Sequence, residues 1–185
     1  MPITFYTIYE KLKRLNPAIY PAQAADIDIV AVKLLERGQK FFEESFLYIG
    51  KASSLPDTFP DNIHTNIICA ADVPVPPCQR ENPNINLIEL SGSTDVFSLF
   101  NEVQEILDKQ AQLDLFKEKL LNCVLQDSSI QYIIELAYEF FGNPIRITDT
   151  SFNLLAFIKD IEVDDPLWHD LAHYGYCTYD TVSSL

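Results

Sequence analysis

The chain has 185 residues, 48% of them apolar and 22% charged, a composition that can bury one large core or two small ones. Its 27 acidic and 13 basic residues leave a formal charge of -14, which excludes a phosphate-binding surface built from clustered Lys and Arg. No apolar run is long enough to span a membrane and no basic leader precedes an apolar segment, so the expectation is a soluble cytoplasmic protein without a membrane partner.

From the N-terminus, Phe5, Ile8, Tyr9, Leu12 and Leu15 recur at helical spacing, and Asn16-Pro17 closes that helix. The cluster Lys11, Lys13 and Arg14 belongs to its solvated face. After a Pro-containing link, the β-branched run Ile27–Leu35 reads as a buried strand and Gly38 as a turn. Phe41–Phe46 reads as a short helix, and Phe46–Gly50 as a second strand. Ser53-Ser54 then opens a turn or helix whose backbone N–H groups face either an anion or only the cap itself. Asn66–Ala70 and Ile85–Leu90 supply two more short apolar strands, expected where both sheet faces are covered. Between them Asp72–Pro83 holds four prolines and reads as loop throughout.

The stretch from Ser93 to Leu125 contains no Gly or Pro and carries apolar residues at gaps of three and four, which predicts one helix roughly 45 Å long. Ser93 or Thr94 is its expected cap, with Asp95 in the first turn. The row Val96, Leu99, Val103, Ile106 and Leu113 serves either as a homodimer seam or as packing on its own domain, since Gln110 and Lys117 interrupt a pure coiled-coil register. A second helix is predicted after a Ser128/Gln131 capping box, with Ile130, Ile133, Ile134, Ala137, Phe140 and Phe141 on its buried face and Gly142 as its stop. Ile145–Thr148 and Leu154–Ile158 form a hairpin around an Asp149–Asn153 turn. Pro166–Tyr174 is a helix ended by Gly175, Tyr176–Tyr179 one more strand, and Asp180–Leu185 the opening of a further helix. Two or three strands bury little, so a longer chain or a partner is expected to complete this last sheet.

The pattern sums to an α/β chain, α+β overall: a small mixed sheet with helices over residues 1–92, a long connecting helix over 93–126, and a partial sheet over 127–185. The segment FFGNPIRITDTSFNLLAF (140–157) resembles the opening of a GAF- or PAS-like sensor domain in PucR-type bacterial transcriptional regulators. Asp164, Pro166, Leu167, Trp168, His173, Gly175, Tyr176 and Val182 resemble the segment that follows in that group. Upstream, LYIGKASSLPD (47–57) and NLIELSGSTDVFSLFNEVQEIL (86–107) resemble its N-terminal region, where a small α/β domain precedes a long helix. The resemblance covers the chain from about Phe46 onward and rests on structural rather than catalytic motifs. It implies a non-enzymatic regulatory piece, homodimeric, responsive to a small-molecule effector, needing no cofactor. It also implies that nucleic acid is met only through a C-terminal helix-turn-helix domain, which this chain ends before reaching.

Chemistry-bearing constellations are sparse. His169 and His173, four apart on one helix face, are the candidate metal pair, with Asp164, Asp165 or Asp170 as further ligands; the competing reading is an ordinary helix-face pair. His64 stands alone. Asp160, Glu162, Asp164 and Asp165 form an acidic loop without the Gly and spacing of a calcium site. The four cysteines, Cys69, Cys78, Cys123 and Cys177, form no CxxC pair and read as reduced thiols. There is no P-loop, GxGxxG or nucleophile elbow. Tyr138, Phe152, Phe157, Trp168 and Tyr176 are candidates to line an apolar effector pocket, against the plain alternative that they are core. The rival to a sensor is an assembly module that sets oligomeric state without a ligand.

Overall fold

The computed structural model describes residues 3–22, 27–60, 62–151, 153–159, 161–176 and 178–179. Phe152, Asp160, Cys177 and the expected final helix at 180–185 lie outside them. Among the described residues the fold is mixed α/β, with five α-helices, a five-stranded sheet and a two-stranded sheet. The chain divides into two compact units, Met1–Gln112 and Leu113–Leu185.

The first unit opens with α1 (Phe5–Leu12), capped by the Thr4 hydroxyl, which accepts from the Thr7 N–H. Its sheet contains β1 (Ala18–Tyr20), β2 (Ala31–Leu34), β3 (Phe46–Lys51), β4 (Thr65–Ala71) and β5 (Ile85–Ser91), in the order β1-β5-β4-β3-β2. β2 to β5 are parallel neighbours, while β1 runs antiparallel to β5. β1 lies in what the sequence presents as a Pro-containing link, because three residues are too few to show an alternating pattern. The expected strand at 27–35 shrinks to four residues at the sheet edge, preceded by buried Ile29 and a lone bridge between Thr4 and Asp28. Phe41–Phe46 is not helical: a turn, with the Phe46 N–H on the Glu43 carbonyl, feeds β3.

Alternation along the strands sorts side chains to two faces. Leu47, Ile49, Ile68, Ile88 and Leu90 pack with Ile8 and Leu12 of α1. Tyr48, Ile67, Cys69, Ile85 and Leu87 form a second layer under the chain segments linking the strands, which contribute Leu35, Phe42 and Val75. One linker contains a short helix, α2 (Pro77–Arg80), inside the proline-rich loop. Pro77 occupies the first helical position, where its missing N–H costs no hydrogen bond, so proline content did not exclude a helix here. Arg80 then forms a two-pronged pair with Glu89 of β5 at 2.8 and 2.9 Å.

Two asparagines tie the amino ends of the strands together. Asn66 and Asn86 are cross-strand partners in β4 and β5. The Asn86 Nδ2 donates to Asn66 Oδ1 at 2.9 Å, and the Asn66 Nδ2 donates to the Glu44 and Phe46 carbonyls. The Ala22 N–H closes the chain on Asn86 Oδ1 at 2.8 Å. Four separate segments thus share one amide network, and Asn66 is almost wholly buried.

The long helix is α3 (Val96–Leu125), of 30 residues. Asp95, rather than Ser93 or Thr94, caps it: its carboxylate accepts from the Phe97 and Ser98 N–H groups and from the Ser98 hydroxyl. The candidate seam residues pack within the chain's own clusters. Leu99 and Val103 are buried against the sheet, with Val96 and Ile106 packed beside them, and Leu113 joins a cluster of the second unit with Phe116 and Cys123. What α3 leaves exposed is Phe97, Leu115, Leu121, Val124 and Leu125.

In the second unit, α4 (Ile130–Phe141) is capped by Ser129, not Ser128, and Gln131 bonds the backbone of Phe157 instead of closing a capping box. Ile134 and Leu136 are buried, whereas Ile130 and Phe141 are exposed. Gly142 ends the helix at φ 68, as its position indicates. β6 (Arg146–Thr148) and β7 (Leu154–Phe157) form the hairpin, with both Ser151 and Asn153 N–H groups on the Asp149 carboxylate. α5 (Pro166–Tyr174) starts on the Asp165 cap and stops at Gly175. Of the expected last strand, Tyr176 makes an isolated bridge to Asn153.

Two outcomes test this packing. Asn66→Ala leaves buried polar groups unpartnered and should lower the unfolding free energy by about 1–3 kcal/mol, read as a shift of the urea midpoint at unchanged slope. Leu99→Ala should cost about 2–5 kcal/mol, while Phe97→Ala, on the exposed side of the same turn, should cost under ~1 kcal/mol. Equal costs would refute the helix orientation.

Candidate functional site

Two concave surfaces lie in the first unit, at the carboxyl ends of the parallel strands. Open α/β sheets bind ligands in crevices at that edge, because the loops leaving the strands present backbone and side-chain polar groups there. One cleft of about 640 Å3 opens between the loop after β2 and the loop after β3. Its walls include Arg37, Gln39 and Lys40 on one side and Ser53, Leu55, Asp57 and Phe59 on the other. A shallower one of about 730 Å3 lies against the same 36–41 loop and reaches Leu34, Phe41 and Phe100.

Each wall is held by identifiable bonds. Gly38 takes φ 79, which the tight turn closed by the Gln39 N–H on the Glu36 carbonyl demands. The Gln39 side chain braces the same loop, accepting from the Glu36 N–H and donating to the Phe41 carbonyl. Leu35 continues the strand pairing through its N–H to the Ile49 carbonyl, and fits because Gly50 opposite has no side chain; a Cβ there would stand 2.7 Å from the Leu35 Cβ. Beneath the second wall, Phe59 packs on Phe42, and Phe42 packs edge-on to buried Tyr48. Gln79 donates to the Pro56 carbonyl at 2.9 Å and pins that loop from behind.

The expected anion position at Ser53-Ser54 is occupied from within. Ala52–Ser54 is a single 3-10 turn, and both the Ser53 N–H and hydroxyl donate to Asp72, at 3.0 and 2.7 Å. These bonds from Ser53 hold the Asp72 carboxyl below its ordinary value, helped by the charge of Lys51. They fasten the first turn after β3 to the end of β4.

Charge makes the cleft distinctive. Arg37 and Lys40 form no ion pair among the described residues. Two members of the basic cluster noted at the N-terminus are committed: Lys13 pairs with Glu10 at 2.7 Å and Arg14 with Glu102. The Glu-Arg-Gly-Gln-Lys run was the legible signal for this site, a cationic turn directly after a strand in an acidic chain.

The side chains singled out in the second unit lie apart from these clefts. Tyr138, Phe157 and Trp168 come together in one apolar cluster with Ile134, Ala156 and Ile158. Phe157 and Trp168 meet edge-to-face at 6.2 Å, and Trp168 is 7% exposed, so they fill the interior; Tyr176 is half-exposed beside Tyr174. For His169 and His173, no group of three His, Cys, Asp or Glu residues close enough to hold a metal occurs among the described residues. Asp165 is engaged in capping α5 and in an ion pair with Arg146 at 3.1 Å, and the His173 ring packs on Tyr174. The backbone of His64 is held by Glu44. Burial pushes the Cys69 thiol up to about 12, which keeps it protonated and unreactive at neutral pH. No helix among the described residues is long and apolar enough to cross a membrane.

Compared with known proteins, the chain matches no family model, no curated protein and no solved structure.

Because the Asp72 carboxyl is lowered in the folded state, its contribution to stability is complete above the unfolded value of about 3.9 and is lost as pH falls through the folded value. Followed by NMR, Asp72 should titrate below an ordinary aspartate, and Ser53→Ala should return it upward. An unchanged midpoint in that variant would show that Ser53 does not anchor the loop.

Proposed function

We propose that the chain is the regulatory, signal-sensing part of a PucR-type transcriptional regulator, in which a small molecule in the first unit's cleft alters the second unit through α3. The observation that carries this reading is the double membership of α3. Leu99, Val103 and Leu107 complete the core of the α/β unit, and Phe116, Leu120 and Cys123 belong to a cluster of the second unit. A helix is one cooperative hydrogen-bonded element, so a shift or fraying imposed at one end is felt at the other. The order of elements adds support: a helix stopped at Gly142, a strand, an Asp149-centred turn, a strand and a helix follow the pattern that the resemblance implies. The sensing pocket of this proposal differs from the aromatic set in the second unit, where Trp168 is buried with Tyr138 and Phe157 packed in the same apolar cluster.

The rival reading is a ligand-free assembly module. It draws on Leu121, Val124 and Leu125, an exposed apolar row near the end of α3 that a second copy would cover. A concentration-independent dimer mass combined with no stabilising compound would favour it.

Hydrogen–deuterium exchange of the whole chain, with and without a compound that raises its melting temperature, tests the relay. Protection should change both in the cleft loops and in α4, and Gln112→Pro should abolish the distant change while leaving the near one. A response confined to residues 3–112 in the unaltered chain would end the relay reading.

A further inference from the structure

We infer that the cleft between the loops after β2 and β3 binds a small monocarboxylate with an apolar body. This rests on the sensor reading above and narrows it to a class of ligand. Three features point to that chemistry. Arg37 and Lys40 both face the cleft from the turn after β2, and neither is neutralised by a carboxylate among the described residues. Two uncompensated cations on one short turn are unusual in a chain of charge -14, whose other acidic surface repels anions and gives this spot its contrast. A guanidinium presents two parallel N–H donors that match the two oxygens of a carboxylate, and an ammonium beside it adds a point charge.

The charge count separates a carboxylate from a phosphate. Among the described residues Asp57 is the carboxylate that lines the cleft, so there two cations against one anion leave a single net positive charge. Asp72, bonded to Ser53, has Lys51 as its own counter-charge. A singly charged headgroup balances the site, whereas a phosphate monoester, near −2 at neutral pH, would bring an unmatched charge close to Asp57. Opposite the cations the wall turns apolar at Leu55 and Phe59, and Phe59 is held by the aromatic stack on Phe42 and Tyr48. That surface suits a ring or short alkyl chain laid across it, and a volume of about 640 Å3 accommodates a molecule of that size.

The test uses the whole chain, labelled with nitrogen-15 and titrated with benzoate, phenylacetate and hexanoate, and in parallel with benzamide and phenyl phosphate. The carboxylates should move the amide signals of Gly38, Lys40, Ser53 and Phe59, and their affinity should fall as salt rises. Arg37→Gln should weaken benzoate at least about tenfold and Lys40→Gln several-fold. Both side chains are exposed and form no ion pair among the described residues, so these variants should keep the wild-type circular dichroism and melting temperature without ligand. Benzamide binding as well as benzoate, or an affinity indifferent to both substitutions, would overturn the anion assignment while leaving the cleft as a sensor site. Phenyl phosphate binding more tightly than benzoate would overturn the charge count. If no carboxylate moves these amides, the inference fails, and the relay stands or falls separately on hydrogen exchange with whatever compound stabilises the chain.

Discussion

The side-chain amides of Asn66 and Asn86 set the frame on which the first unit is built. A parallel sheet buried on both faces offers its strand ends little water, and every carbonyl or N–H left over there needs a partner. Asn66 satisfies carbonyls of the segment entering β3, and Asn86 satisfies the N–H of Ala22 beyond β1. The two amides also lock the register of β4 against β5, since a slip by one residue would turn both to the opposite face. With the amino ends fastened this way, the loops at the carboxyl ends are free to diverge and leave a hollow between them.

That hollow combines rigidity with an unbalanced charge. The turn at Gly38, the Ser53–Asp72 clasp and the Gln79 bond to Pro56 each use a polar side chain to fix a loop backbone. A preformed wall lowers the ordering cost of binding. Arg37 and Lys40, by contrast, have no internal work to do in the described structure, which is what distinguishes them from Arg80 or Arg14, both consumed by ion pairs.

Much of the architecture was readable from residues. The three inner strands announced themselves as short apolar runs, and α3 as an uninterrupted helical stripe, because continuous or periodic apolar character reports burial directly. The failures were local or long-range. β1 and α2 are too short for a pattern, and the caps at Asp95 and Ser129 depend on which of several adjacent polar residues the chain bends around. Whether Val103 faces a partner or its own sheet is a matter of tertiary pairing that helical spacing does not encode. The role of the aromatic residues near the C-terminus is not encoded for a similar reason: a core and an apolar pocket have the same composition, and they differ only in whether the space between the rings is filled. The cleft was hidden because its walls, residues 37–40 and 53–59, are separate in sequence and meet only when β2 and β3 pair.

The division of the chain inside α3 bears on how the polypeptide is made and cut. Strand β5 ends at Ser91, yet the sheet face that α1 packs on stays only partly covered until Leu99, Val103 and Leu107 arrive. During synthesis the sheet therefore waits, with the face holding Ile49, Ile68 and Ile88 incompletely covered, for a further stretch of helix to emerge. A protease or a genetic truncation that severs the chain at Gly92, where composition places a border, would not release a finished domain. It would strip a layer from one, and the bared isoleucines would drive self-association.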